Sequence, residues 1–435
     1  MILRLQKNTF CPFLTRLSAL SPMAMRLFIA AISLIVVPMT LREMAVPAAA
    51  SESSEKAGAL YDPNPAHIWN RLYDALLIRE GPTGAKYGAD SLGPLLWRDT
   101  KHLLAQPSHA RALRVLDQFL QTHAENLIQD SLRRAILQRD LWAVFDWSVQ
   151  WEPDDEGEPS YEKERQELQI RLGEVLRRLA LTSKEIESLP DNYAEAVASG
   201  VFAKEYDPDH PDRIFLPPDL FEPSGPWVLI RGNGSEPVAK QHVSEFSGRS
   251  RFLVLVRLPE GRKSTFDYFQ TLWNVPQPWI PLSRTNNQIV VNPDLPQFPA
   301  GTQVALVRQM TLFDDHGNLV PTPITESVQI RVYRTITANK EERYESENFE
   351  ELTTRSGQAF HEITLSRPRL FAKKAGGLRA TGRDEREFSV RADDPLNPWQ
   401  KALFRSGYGR SRFFCSVPSV ILREESTRSK AAAGY

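Results

Sequence analysis

The chain has 435 residues, 41% of them hydrophobic and 25% charged, with a formal net charge of −1. These are globular proportions. They exclude a low-complexity disordered chain, and the presence of only two cysteines, Cys11 and Cys415, excludes a fold built on disulfides.

The near-neutral total hides an asymmetry. Residues 1–50 carry five basic side chains and one acid, residues 51–365 a net −13, and residues 366–435 a net +8. An acidic body attracts a basic tail, and such a tail also attracts anionic partners.

In chain order, the first feature is Leu27–Leu41, a 15-residue apolar run behind Arg26 and ahead of the small-residue tract Ala45–Ala50. A positive flank, a short apolar core and an Ala-x-Ala site predict a signal peptide over residues 1–50. The run falls short of the roughly 20 residues a spanning helix needs, so an uncleaved membrane tether is the alternative. The expected location is therefore exported, periplasmic or extracellular.

Residues 51–63 read as a flexible linker. Asn64-Pro65 offers a helix cap followed by proline, and Ile68, Leu72 and Leu76, beside Trp69 and Tyr73, recur at helical spacing. A second helix is predicted from Ser108, with Leu113, Leu116 and Leu120. A third spans Leu132–Trp151, with Leu137, Leu141, Val144 and Trp151 on one stripe. After a Pro- and acid-rich break at Trp151–Pro159, Leu168, Leu172, Val175 and Leu179 resume the period. Thr182-Ser-Lys-Glu185 reads as a capping box, and a short helix near Asn192–Ser199 stops at Gly200. Residues 64–205 are thus expected to form a helical domain.

Asp207–Asp212 reads as a linker, after which strands begin. Trp227–Arg231, Arg251–Leu258 and Gln288–Asn292 are short β-prone runs. The clearest hairpin runs from Gln303 to Arg334 around the turn Asp314–Asn318. Val304, Leu306, Met310 and Leu312 alternate on one arm, and Val328, Ile330 and Val332 on the other. A β-sandwich-like domain over 213–337 is the economical expectation. Residues 338–435 read as a basic, partly disordered extension, with one further strand over Phe360–Ser366. The fold class is α+β.

Candidate chemistry is sparse. Asp207, Asp209, His210 and Asp212 are oxygen and nitrogen donors, but they lack the spacing of a calcium loop and suit a polar linker. Asp154, Asp155, Glu156 and Glu158 are neighbours on one loop, poorly placed to face each other across a sugar. His67, His102, His109 and His123 form no i, i+4 pair, and His361-Glu362 lacks a second histidine. No metal and no cofactor are expected. There is no Gly-x-Ser-x-Gly elbow, and Gly232-Asn-Gly-Ser235 reads as a β-turn. No catalytic residue is assigned.

Trp273 and Trp279, read as exposed aromatics in a Pro-rich loop, are the candidate binding residues, with burial as their competing role. Phe404, Arg405, Tyr408, Arg410, Arg412, Phe413 and Phe414 interleave cations with rings, a pattern that also serves nucleic-acid binding. For an exported chain no nucleic acid is expected, and membrane contact only through this tail or an uncleaved leader.

Leu365-Ser-Arg-Pro-Arg-Leu-Phe371, Ala375-Gly-Gly-Leu-Arg379 and Asp384-Glu-Arg-Glu-Phe-Ser389 resemble the late segment of a group of uncharacterised exported bacterial proteins, over about 25 residues. The resemblance implies export and no particular activity. A Cys-x-x-Cys-His haem element follows this segment in that group. Here Cys415-Ser-Val-Pro-Ser419 supplies neither the second cysteine nor the histidine.

The reading is an exported binding or envelope-associated module with an extracellular or envelope ligand. The alternative is a secreted hydrolase acting on a polymer between the two domains.

Overall fold

The computed structural model describes residues 59–80, 86–87, 103–150, 160–230, 239, 248–277, 279–283, 286–292, 294–334 and 357–381. The expected leader over residues 1–50, the acidic stretch 151–159, the expected turn 232–235, Cys415 and the aromatic–basic stretch 404–414 lie outside them.

The helical layer follows the predicted periodicities with shifted ends. Helix α1 (Ile68–Leu77) starts later than Asn64-Pro65 suggests. His67 is its cap, its ring nitrogen accepting from Trp69 N, while Asn64 closes a turn onto Ala66 N. Helix α2 (Ser108–Gln121) takes Pro107 as its cap and buries His109, Ala112, Val115, Leu116 and Phe119. Ser108 is its first helical residue, so its hydroxyl has no capping role. Helix α4 (Glu162–Leu179) buries Leu168, Leu172, Val175 and Leu179 and carries acids in its first turn and arginines in its last, as the helix dipole favours. The capping box is realised in α5 (Ser183–Glu187), where Thr182 and Glu185 satisfy each other's backbone N–H. Helix α6 (Asn192–Ala198) follows.

Helix α3 (Ser131–Gln150) is buried on every side from Ala135 to Val144, including Gln138, Arg139 and Asp140. It is sandwiched between the other helices and the sheet. Leu137, Leu141 and Val144 serve one core, with α1, α2 and α4, while Ala135 and Ile136 serve the next.

The sheet has six strands in the order β10-β9-β8-β7-β4-β3, every neighbouring pair antiparallel. They are β3 (Val228–Ile230), β4 (Ser250–Arg257), β7 (Thr302–Phe313), β8 (Leu319–Tyr333), β9 (Gln358–Leu365) and β10 (Leu378–Ala380). Two short pairs stand apart, β1 (Arg79–Glu80) with β2 (Lys86–Tyr87), and β5 (Trp279–Ser283) with β6 (Asn286–Val291).

Val328, Ile330 and Val332 face Ala305 and Val307 across β7–β8 in one core. What covers them is the segment from Leu181 to Trp227: Ile186, Leu189, Tyr193, Phe215 and Leu220. A second sheet facing the first, as a sandwich requires, is not among the described residues. Alternation calls for an apolar cover without specifying whether helices or strands supply it. Helix α7 (Arg262–Trp273) packs Phe269 and Leu272 onto β3 and β4 in a third core.

From Leu181 to Trp227 the buried side chains pack into the sheet core, which α3 also enters through Ala135 and Ile136. The stripe Val304, Leu306, Met310, Leu312 is divided, the first two packing with the α7 core and the last two with the main sheet core. The β7–β8 register shifts twice between Arg308 and Thr311, and a bulge re-aims the side chains around it. In the extension from residue 338 the strand expected over Phe360–Ser366 is present as β9, and a short helix, α8 (Arg367–Phe371), and β10 follow it. The disorder expected of the remaining tail concerns residues outside those described.

Among the described residues no helix is long and apolar enough to cross a membrane.

Candidate functional site

The junction between helices and sheet is where a polymer-cleaving alternative would place its acids. Because α3 is covered all round, each charge it carries needs a partner, since a lone buried charge is costly. Arg139 reaches Glu326 at 2.9 Å, and Ser250 Oγ donates to the same carboxylate at 2.6 Å. Arg308 approaches Glu326 at 3.7 Å. Glu326 sits on a bulge: its neighbours Thr325 and Ser327 pair with the adjacent residues Gln309 and Arg308, leaving it no counterpart on β7. Burial pushes its carboxyl up, but Arg139 and Arg308 outweigh that and hold it below the usual range.

Asp146 pairs with Arg249 and accepts from Trp142 Nε1 at 3.2 Å. Burial dominates here, raising the Asp146 carboxyl and bringing Arg249 down to about 10, with repulsion from Arg139 adding to the effect. Arg367 forks onto Asp140, its Nε donating to Oδ2 at 2.7 Å and its terminal nitrogen to Oδ1. Asp140, Asp146 and Glu326 are thus each held by arginine. Among the described residues the junction is a clasp in which each of these acids is bound to arginine.

Two surface hollows are lined by arginine. The larger, about 630 Å³, lies on α1 and α2 between Arg71, Arg111, Arg114, Gln118 and Gln121. Its charges are partly met within the chain, since Arg111 pairs with Asp74, and the lining residue Asp117 pairs with Arg171.

The smaller hollow, about 340 Å³, gathers Arg213, Arg369 and Arg379 with Val201, Phe202 and Ile214, and no carboxylate is among its described lining residues. Three elements build it. The segment after α6 and the strand-like stretch at Ile214 are clamped by Ala203 N to Ile214 O at 3.3 Å and Leu216 N to Ala203 O at 2.8 Å. Helix α8, capped by Ser366, presents Arg369. Strand β10, at the sheet's edge, presents Arg379.

The sequence candidates fall elsewhere. Trp273 is the last residue of α7, half-buried and stacked on Phe269 at 6.1 Å between ring centres. Trp279 opens β5 opposite Val291. Neither belongs to a Pro-rich loop, and Trp273 is not among the described residues lining either hollow. Asp207 spends its oxygens on His210 Nδ1 at 2.8 Å and Asp209 N at 3.0 Å, closing a turn. His109 is buried against Leu103 O, and His361 lies edge-on to Phe215. Among the described residues no group of three or more His, Cys, Asp and Glu side chains is placed to hold a metal.

Sequence reasoning missed Arg213, Arg369 and Arg379 because they arrive from segments with no shared motif. The one signal was the positive charge beyond residue 365. No family model matches the chain, and no curated protein or solved structure is similar to it.

Proposed function

We propose that this is an exported, non-catalytic binding module that takes an anionic ligand in the hollow between Arg213, Arg369 and Arg379. One observation carries the reading: three arginines from three separate elements line one recess, with no carboxylate among its described lining residues. Its volume lies at the small end of ligand sites. Export is supported by the apolar run Leu27–Leu41 and the Ala-rich tract after it, and by the resemblance of residues 365–389 to exported proteins. The clasped acids at the helix–sheet junction favour binding over hydrolysis.

Two measurements test it. Fractionation with N-terminal sequencing is expected to find a mature start near Ser51 outside the cytoplasm, and an intact N-terminus inside it contradicts export. Calorimetric titration with acetate and with inorganic phosphate is expected to show saturable binding, weakened at least about tenfold by Arg213→Glu. Arg213 is exposed, so the variant spares the fold. Absence of saturable binding by any anion overturns the anion site.

A further inference from the structure

We infer that the larger hollow is a second binding site, and that it takes a carboxylate-bearing polysaccharide laid along helix α2. Arg111, Arg114, Gln118 and Gln121 recur every three or four residues of that helix, so they form one stripe. The stripe is turned away from the buried Ala112, Leu116 and Phe119. From Arg111 to Gln121 it runs about 15 Å. Helix α1 supplies the facing wall through Arg71. Asp74 lies one turn further along α1, and its ion pair with Arg111 fixes the two walls to each other.

This groove is basic on an acidic body. Its acids, Asp74 and Asp117, are each held by an arginine, Arg111 and Arg171. Arg71 and Arg114 add two further cations among the described lining residues. Residues 51–365 as a whole carry a net −13, so the sign is reversed here. The cations are spread along the groove, which suits a ligand whose charges repeat along its length. Beside them lie the carboxamides of Gln118 and Gln121, which donate and accept at once, as the hydroxyl groups of a sugar do. A single-stranded nucleic acid calls for aromatic faces, and no aromatic ring is among the described lining residues. A membrane surface calls for apolar side chains that can enter it, and Val115 of this hollow is buried. The groove shares no described residue with the smaller hollow.

The test is calorimetric titration of the full chain with polygalacturonate, galacturonic acid, dextran and polyglutamate, repeated on Arg114→Glu, Gln118→Ala and Arg213→Glu. Arg114 is exposed and Gln118 half-buried on the solvent side of α2, so these variants spare the fold. Polygalacturonate is expected to bind saturably, at least about tenfold tighter than its monomer. Arg114→Glu weakens it about tenfold or more and Gln118→Ala about twofold to tenfold, whereas Arg213→Glu leaves it unchanged. Polyglutamate binding as tightly as polygalacturonate overturns the sugar, and dextran binding as tightly overturns the role of charge. A monomer that binds as tightly as the polymer overturns the extended groove. Binding lost in Arg213→Glu but kept in Arg114→Glu assigns the polymer to the smaller hollow and overturns this site. Absence of saturable polygalacturonate binding overturns it as well, while phosphate titration still decides the smaller hollow separately.

Discussion

Arg139 of the central helix and Glu326 of the longest strand meet at 2.9 Å with side chains only 7% and 10% exposed. Removing one partner leaves the other charged and buried, so Arg139→Met is expected to cost about 3–5 kcal/mol. Urea denaturation monitored by tryptophan fluorescence measures it. A loss below about 1 kcal/mol shows that water reaches the pair as it reaches surface ion pairs.

Acid weakens the fold through the β7–β8 turn. Asp314 accepts hydrogen bonds from Ser183 Oγ, His316 N and Asn318 N, which bring its carboxyl down to about 2. A depressed folded pKa gives stability that is complete above the unfolded value near 4 and lost as pH falls toward about 2. Glu326 acts with the same sign, whereas Asp146, raised by burial, acts against it. Asp314→Asn is expected to be less stable at pH 7 and to lose less between pH 4 and 2. Parallel stability curves for the two proteins in that interval contradict the assignment.

Gly376 and Gly317 both have positive φ, +57° and +81°, but differ in surroundings. A Cβ on Gly376 would lie 1.9 Å from Asn192 O, whereas nothing lies within 4 Å of one on Gly317. Asn192 is itself fixed, its side chain bridging Thr325 and Gly376. Gly376→Ala is expected to cost about 2–5 kcal/mol and Gly317→Ala about 1 kcal/mol. Thermal melts of the two variants check the order, and a reversed order sinks the argument.

Trp273 packs on Phe269 and the α7 core. Trp273→Ala is therefore expected to lower stability by about 1–3 kcal/mol while leaving phosphate affinity unchanged. An unchanged melting temperature with lost affinity would restore this tryptophan as a recognition residue.

Local signals were legible where the physics is local. The capping box at Thr182–Glu185 and the alternation of Val328, Ile330 and Val332 depend on neighbours a few residues away, and both are present as expected. The stripe Leu137, Leu141 and Val144 on α3 serves one core as its spacing suggests, but a stripe does not report that the rest of the helix is covered as well. Arg139, Asp140 and Asp146 give no local signal of burial, since their partners lie more than a hundred residues downstream. The arginine hollow was invisible for the same reason: Arg213 meets Arg369 and Arg379 only once β10 has joined the sheet's edge.

The fork of Arg367 onto Asp140 bears on how the chain reaches its final form. Asp140 is made early and sits in the innermost helix, yet its counter-charge belongs to a segment 227 positions later. Until that segment docks, the helical half holds an uncompensated carboxylate at its centre and cannot close around it without penalty. Shortening the chain at residue 337 would remove the fork and both late strands together, so the outermost stretch of the sequence governs the innermost helix. What reads as an appendage is the bolt that locks the interior.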